Sequence, residues 1–112
     1  MKYFCVLYMA PVAELDKWMK TPEKERNTVE ATMRAEWNLW LKAHANNVKN
    51  TIGLGQAKRV DANGISDSKN GIMLSSYVEA ESSEAAAKLF TDHPHLKIPG
   101  ATIDIMETTP LS

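Results

Sequence analysis

Two hydrophobic periods divide this chain. Tyr3-Phe4-Cys5-Val6-Leu7-Tyr8-Met9 is apolar on both faces, the pattern of a strand covered on both sides and central in its sheet. Ala10-Pro11 ends it, because proline has no N–H to give to a ladder. A helical region in two parts follows. Residues 12–20 gather Leu15, Trp18 and Met19 on one side. Thr21-Pro22-Glu23 then predicts a restart, with Thr21 as N-cap, Pro22 at the first helical position and an acid next. From there to about residue 47, Val29, Met33, Trp37, Trp40, Leu41 and His44 draw one stripe, with Val48 in line beyond them.

Asn46-Asn47 and Asn50 close that helix, and residues 51–60 read as one strand. Its small face, Gly53, Gly55, Ala57 and Arg59, predicts something large lying against it, a helix or a ligand. Residues 61–64 and 66–71 are dense in turn formers and predict a hairpin loop. Residues 72–80 form the next strand, Ser82 or Ser83 caps a second helix through Ala85, Ala86, Leu89 and Phe90, and residues 101–107 form the last strand. The order βαββαβ is ferredoxin-like: an α+β fold with a four-stranded antiparallel sheet and its helices on one face. Apolar residues fall on both faces of the strands, among them Phe4, Val6, Met73, Tyr77 and Met106. A monomer would expose half of them, so two sheets are expected to meet in a homodimer.

With 112 residues, the chain is expected to be one domain, residues 1–112. Apolar residues at 44% and charged residues at 24% exclude a disordered chain. The 13 basic residues are offset by 14 acidic ones and form no run able to track a phosphate backbone, so no nucleic-acid partner is expected. The single cysteine, Cys5, reads as a small hydrophobe; it cannot close an internal disulfide, and a reducing, cytoplasmic setting fits it. Residues 3–9 are at the short end for a signal-peptide core, and no stretch approaches the roughly 18 apolar residues of a membrane span. Gly53-Leu54-Gly55 lacks the third glycine and following helix of a phosphate loop, and no cofactor motif is expected.

His93 and His95 are the leading candidates for chemistry. They flank Pro94, and an imidazole near its ordinary pKa serves as general acid or base at neutral pH, with Asp92 or Glu107 able to orient it. The bland alternative is that His93 caps the helix end and His95 packs into a loop. His-x-His also offers two metal-binding nitrogens, but a third ligand from Asp92, Asp104 or Glu107 stands at no diagnostic spacing, and no metal is expected. His44, on the helix stripe, reads as a satisfied, half-buried residue. Trp18, Trp37 and Trp40 stand at core spacing. One of the Trp37/Trp40 pair is expected in the core, the other in the wall of an apolar cavity shared with Met73 and Tyr77. Proton-transfer chemistry on a small cyclic substrate suits such a site; a binding module that holds a metabolite without turnover is the alternative, and a filled barrel with no cavity a third.

The opening Lys2-Tyr3 strand, the W-x-x-W pair Trp37 and Trp40 and the strand Gly53-Leu54-Gly55 resemble the YCII-related family of the dimeric α/β-barrel superfamily. So do Asp92-His93-Pro94-His95-Leu96, Pro99-Gly100-Ala101 and the closing Ile103-Asp104-Ile105-Met106-Glu107. The resemblance covers nearly the whole chain and implies a ferredoxin-like dimer. The resemblance implies a first-helix histidine paired with an aspartate beside the second helix's proline, as in some relatives, one of them a dehydrochlorinase acting on a chlorinated hydroxyquinone. Here the helix position falls near Trp37 or Asn38, and the residue before Pro94 is His93. The family's pair is therefore not present intact.

Overall fold

The computed structural model describes residues 1–111. Its elements are β1 (Lys2–Met9), α1 (Val12–Lys20), α2 (Glu23–Ala43), β2 (Val48–Gly53), β3 (Ala57–Asp61), β4 (Gly64–Ser68), β5 (Ile72–Ala80), α3 (Ser83–Lys88), a 3-10 turn (Pro94–Lys97) and β6 (Thr102–Glu107). Four strands make one antiparallel sheet in the order β2-β5-β1-β6, so β1 is central, as its apolar run predicts. The alternation of β1 separates the faces. Phe4, Val6 and Tyr8 are fully buried, whereas Cys5, Leu7 and Met9 on the other face are half-buried. Phe4, Val6, Tyr8, Trp40, Val48, Val78, Ala80, Ala86 and Phe90 form the core between the sheet and the helices. Where β1 hands over to α1, Ala10 N–H donates to the Gly71 carbonyl at 2.9 Å. Gly71 holds a φ of +75°, and a Cβ there would lie 2.4 Å from the Ala10 oxygen, so this close approach requires glycine.

Several boundaries differ from the sequence expectation, each for a local reason. Thr21 does not cap α2: its hydroxyl donates back to the Lys17 carbonyl, and Pro22 stands at the N-cap. α2 ends at Ala43 rather than near residue 47, because His44 Nδ1–H donates to the Trp40 carbonyl at 2.8 Å and caps the last turn from its C-terminal side. Val48 therefore starts β2 and enters the core from the sheet. Only the C-terminal part of α2 is tightly packed: Trp40 is buried, whereas Val29 is 43% exposed, and α1 buries no residue. Ser82 caps α3 as expected, its Oγ accepting from Ala85 N–H.

The expected strand over residues 51–60 is two strands. After Leu54 the chain leaves the sheet, and β3 pairs only with β4, a strand in the segment read as a loop. Nothing lies within 4 Å of where a Cβ on Gly53 or Gly55 would stand, so no helix packs over these two positions of the small-residue face. Val60 and Ile65 pair across the hairpin near its tip and are both about three-quarters exposed. The radius of gyration is 15.7 Å, against roughly 13 Å for a compact chain of this length.

Candidate functional site

The turn after α3 places both leading histidines in the core. Proline disfavours helical backbone in the residue before it, and His93 is accordingly extended, with φ −64° and ψ 137°. That conformation folds the imidazole back over the next turn, where Nδ1 accepts the His95 N–H at 2.9 Å. His93 thus caps a turn, though the one that follows it rather than the end of α3. His95 points the other way and Nε2–H donates to the Met9 carbonyl at the end of β1, at 2.8 Å. An ion pair between Lys97 and Glu36 ties the turn to α2.

Both imidazoles are almost wholly enclosed, His93 at 2% and His95 at 1% exposure. The enclosure is aromatic. His93 lies edge-to-face with Trp37 and Trp40, ring centroids 4.2 and 4.3 Å away, with Tyr8 at 5.3 Å and Phe90 at 6.0 Å. His95 meets Tyr8 at 5.7 Å and Trp37 at 6.3 Å. The three-residue spacing of Trp37 and Trp40 puts both indoles on the α2 face that meets this turn. Trp40 is buried and stacks on His44 at 4.0 Å, while Trp37 is half-buried.

The hydrogen bonds fix the protons. A carbonyl can only accept, so His95 carries its proton on Nε2 and, when neutral, its lone pair is on Nδ1. His93 uses Nδ1 as an acceptor, so its proton is on Nε2, and that atom is buried with no partner. Burial pushes His93 down to about 4, helped by His95 and His44 and opposed by Asp92. Burial also lowers His95, against the bond to Met9. At neutral pH His93 is thus a neutral N–H donor, not the titrating group that an ordinary imidazole would be.

The remaining expected site residues are placed elsewhere. Tyr77 and Cys5 pair across β5 and β1 on the open face of the sheet, opposite the histidines. Met73, one residue before the core-facing Leu74, sits at the bulge between β5 and β1, outside the regular alternation. Tyr77 lines a groove of about 270 Å³ on the open face with Tyr3, Lys49, Asn50 and Glu79. Asp92 is exposed, Asp104 pairs with Leu7 on the open face, and Glu107 forms a 3.3 Å ion pair with Lys2. No three His, Cys, Asp or Glu side chains cluster among the described residues.

Sequence reasoning did not single out Tyr8, Phe90, Ser76 or Thr51. Tyr8 forms the floor of the box, and its hydroxyl is bonded to Ser76 Oγ at 2.8 Å, which is bonded in turn to Thr51 Oγ1 at 2.7 Å. Burial raises the Tyr8 phenol, with the Ser76 bond acting against it. A tyrosine inside an apolar strand carries no sequence signal of this chain, because Ser76 and Thr51 lie 68 and 25 positions away from their partners.

No family model matches this chain, and no curated protein matches it. Among the described residues no helix is long and apolar enough to cross a membrane.

Proposed function

We propose that this domain is a cofactor-independent small-molecule enzyme of the proton-transfer type, acting by elimination or isomerisation in the aromatic box around His93 and His95. The observation that carries the reading is the enclosure of two neutral imidazoles by Tyr8, Trp37, Trp40 and Phe90. A low-dielectric box strengthens each hydrogen bond formed in it. The Nδ1 lone pair of His95 takes a proton from substrate carbon. In elimination the leaving group departs from the adjacent carbon with its bonding pair, and in isomerisation the proton returns at another carbon. Neutral His93 donates a hydrogen bond from Nε2, the role a neutral histidine plays in other proton-transfer enzymes. The YCII-related resemblance suits this reading, with His93 in place of the expected aspartate. A non-catalytic binding module is the second reading, favoured by the backbone bonds that hold both rings in place.

A panel of small cyclic enones, hydroxyquinones and their halogenated analogues tests the choice, with chloride release and carbonyl absorbance as readouts. Turnover of a panel member should fall at least 100-fold in His93→Ala, and Trp37→Ala should chiefly raise KM. Panel members that raise Tm without being converted, indifferent to His93→Ala, would establish the binding module instead.

The open face supports a homodimer. Tyr3, Ile52, Tyr77 and Met106 are each about half exposed on it or at its edge, a patch that a second copy of the sheet would cover. Tyr77→Asp is expected to give a folded monomer in native mass spectrometry where the unaltered chain gives a dimer. A monomer in both would remove the sheet-to-sheet association.

A further inference from the structure

We infer that Trp40 Nε1–H and His93 Nε2–H form a two-donor site for one oxygen of a planar, ring-borne carbonyl or delocalised oxyanion. This rests on the aromatic box being the ligand site and names the chemistry of the ligand. Both nitrogens are buried with no hydrogen-bond partner, on residues 7% and 2% exposed. A buried donor left unpaired costs about 1–3 kcal/mol, and native structures keep few of them. Here two occur on rings in direct contact, centroids 4.3 Å apart and inclined by 63°.

The surroundings restrict the acceptor. His93 cannot turn its proton elsewhere, because Nδ1 is committed to the His95 N–H. Trp40 cannot accept at all, since an indole nitrogen only donates. Two donors and no acceptor exclude a partner that must itself donate, so a lone water would leave its own protons facing aromatic rings. Both donors are neutral at pH 7, and the walls are Tyr8, Trp37 and Phe90. A compact, multiply charged anion would be poorly compensated in such a box. A ring that stacks on the walls and directs a single oxygen at the donors satisfies every group. Trp37 is the half-buried ring of the set, where its neighbours are enclosed.

The probe is 4-nitrophenolate at pH 8, with 4-nitrotoluene as the same ring lacking the oxyanion. Binding is followed by quenching of tryptophan fluorescence and by the phenolate absorbance. The phenolate should bind saturably, and Trp40→Phe or His93→Phe should each weaken it at least tenfold. Both should leave 4-nitrotoluene within about twofold. Trp37→Phe, outside the orphan pair, should change the two probes alike. In the unaltered protein the Trp40 Nε1–H and His93 Nε2–H proton resonances should move downfield with phenolate and not with 4-nitrotoluene. That measurement decides the matter should either variant fail to fold. Binding of 4-nitrotoluene with no phenolate-specific effect would overturn the donor site and leave the box as an apolar pocket. Failure of both probes would remove the donor site and the box together.

Discussion

Val6→Asp should unfold this domain, whereas Leu7→Asp, one residue along, should leave it folded. Val6 is fully buried at the centre of β1, opposite Ser76 on β5 and Ile105 on β6. Among the described residues the core around it contains no cation to pair with a carboxylate. An unpaired charge there, added to the lost packing, costs about 4 kcal/mol or more, against a total stability of about 5–15 kcal/mol for a domain of this size. Leu7 is only half-buried and faces the open side, so its replacement bears on association rather than folding. Circular dichroism with urea titration separates the two cases. A cooperative transition with an unchanged midpoint in Val6→Asp would mean that the faces have been assigned the wrong way round.

Acid should destabilise the protein through its buried imidazoles. In the unfolded chain a histidine takes up its proton near pH 6.5; folded, His93 resists protonation until about 4, and His95 is shifted in the same direction. Between those values the unfolded state binds more protons, so stability falls as pH falls. The contribution is fully present above about pH 6.5, declines through the window down to about 4, and is absent below it. For His93 alone the loss between pH 7.5 and pH 4.5 is about 2–3 kcal/mol. His93→Phe keeps a ring in the box and deletes the proton site. It should start lower at pH 7.5, having lost the cap on the turn at a cost of about 1 kcal/mol, and then show a much flatter dependence. Urea midpoints at the two pH values give the comparison. A slope unchanged by the substitution would show that His93 is not protected from solvent as its 2% exposure implies.

Both predictions start from features that differ in how far the sequence reveals them. β1 could be placed at the centre of the sheet because a strand with no polar face has no other stable position. The helix restart at Thr21-Pro22-Glu23 and the cap at Ser82 were visible for similar reasons, since proline and serine act over two or three residues. The end of α2 was not visible: its stripe runs on through His44 to Val48, and only the His44 side chain, turned back on the Trp40 carbonyl, stops it. The β3–β4 arm was hidden because β4 consists largely of turn-forming residues and is a strand only through its pairing with β3, including the ion pair of Lys58 with Asp67.

The candidate site divides along the same line. His93, His95, Trp37 and Trp40 could be named from the chain, and the fold brings those four together. Met73 and Tyr77 were grouped with them on composition alone. Side chains alternate along a strand, and the pairing of Tyr77 with Cys5 puts it on the far side of the sheet, while Met73 falls at a bulge. By itself, then, the sequence determined the α+β class, the order of the four strands of the main sheet and their helices, the central strand and the aromatic and imidazole residues available for chemistry, because these follow from period, proline placement and residue type. Tertiary structure alone decided which face each residue takes, which imidazole nitrogen carries the proton and that Tyr8 supplies the floor of the box. Those properties depend on partners tens of residues away, and no local pattern encodes them.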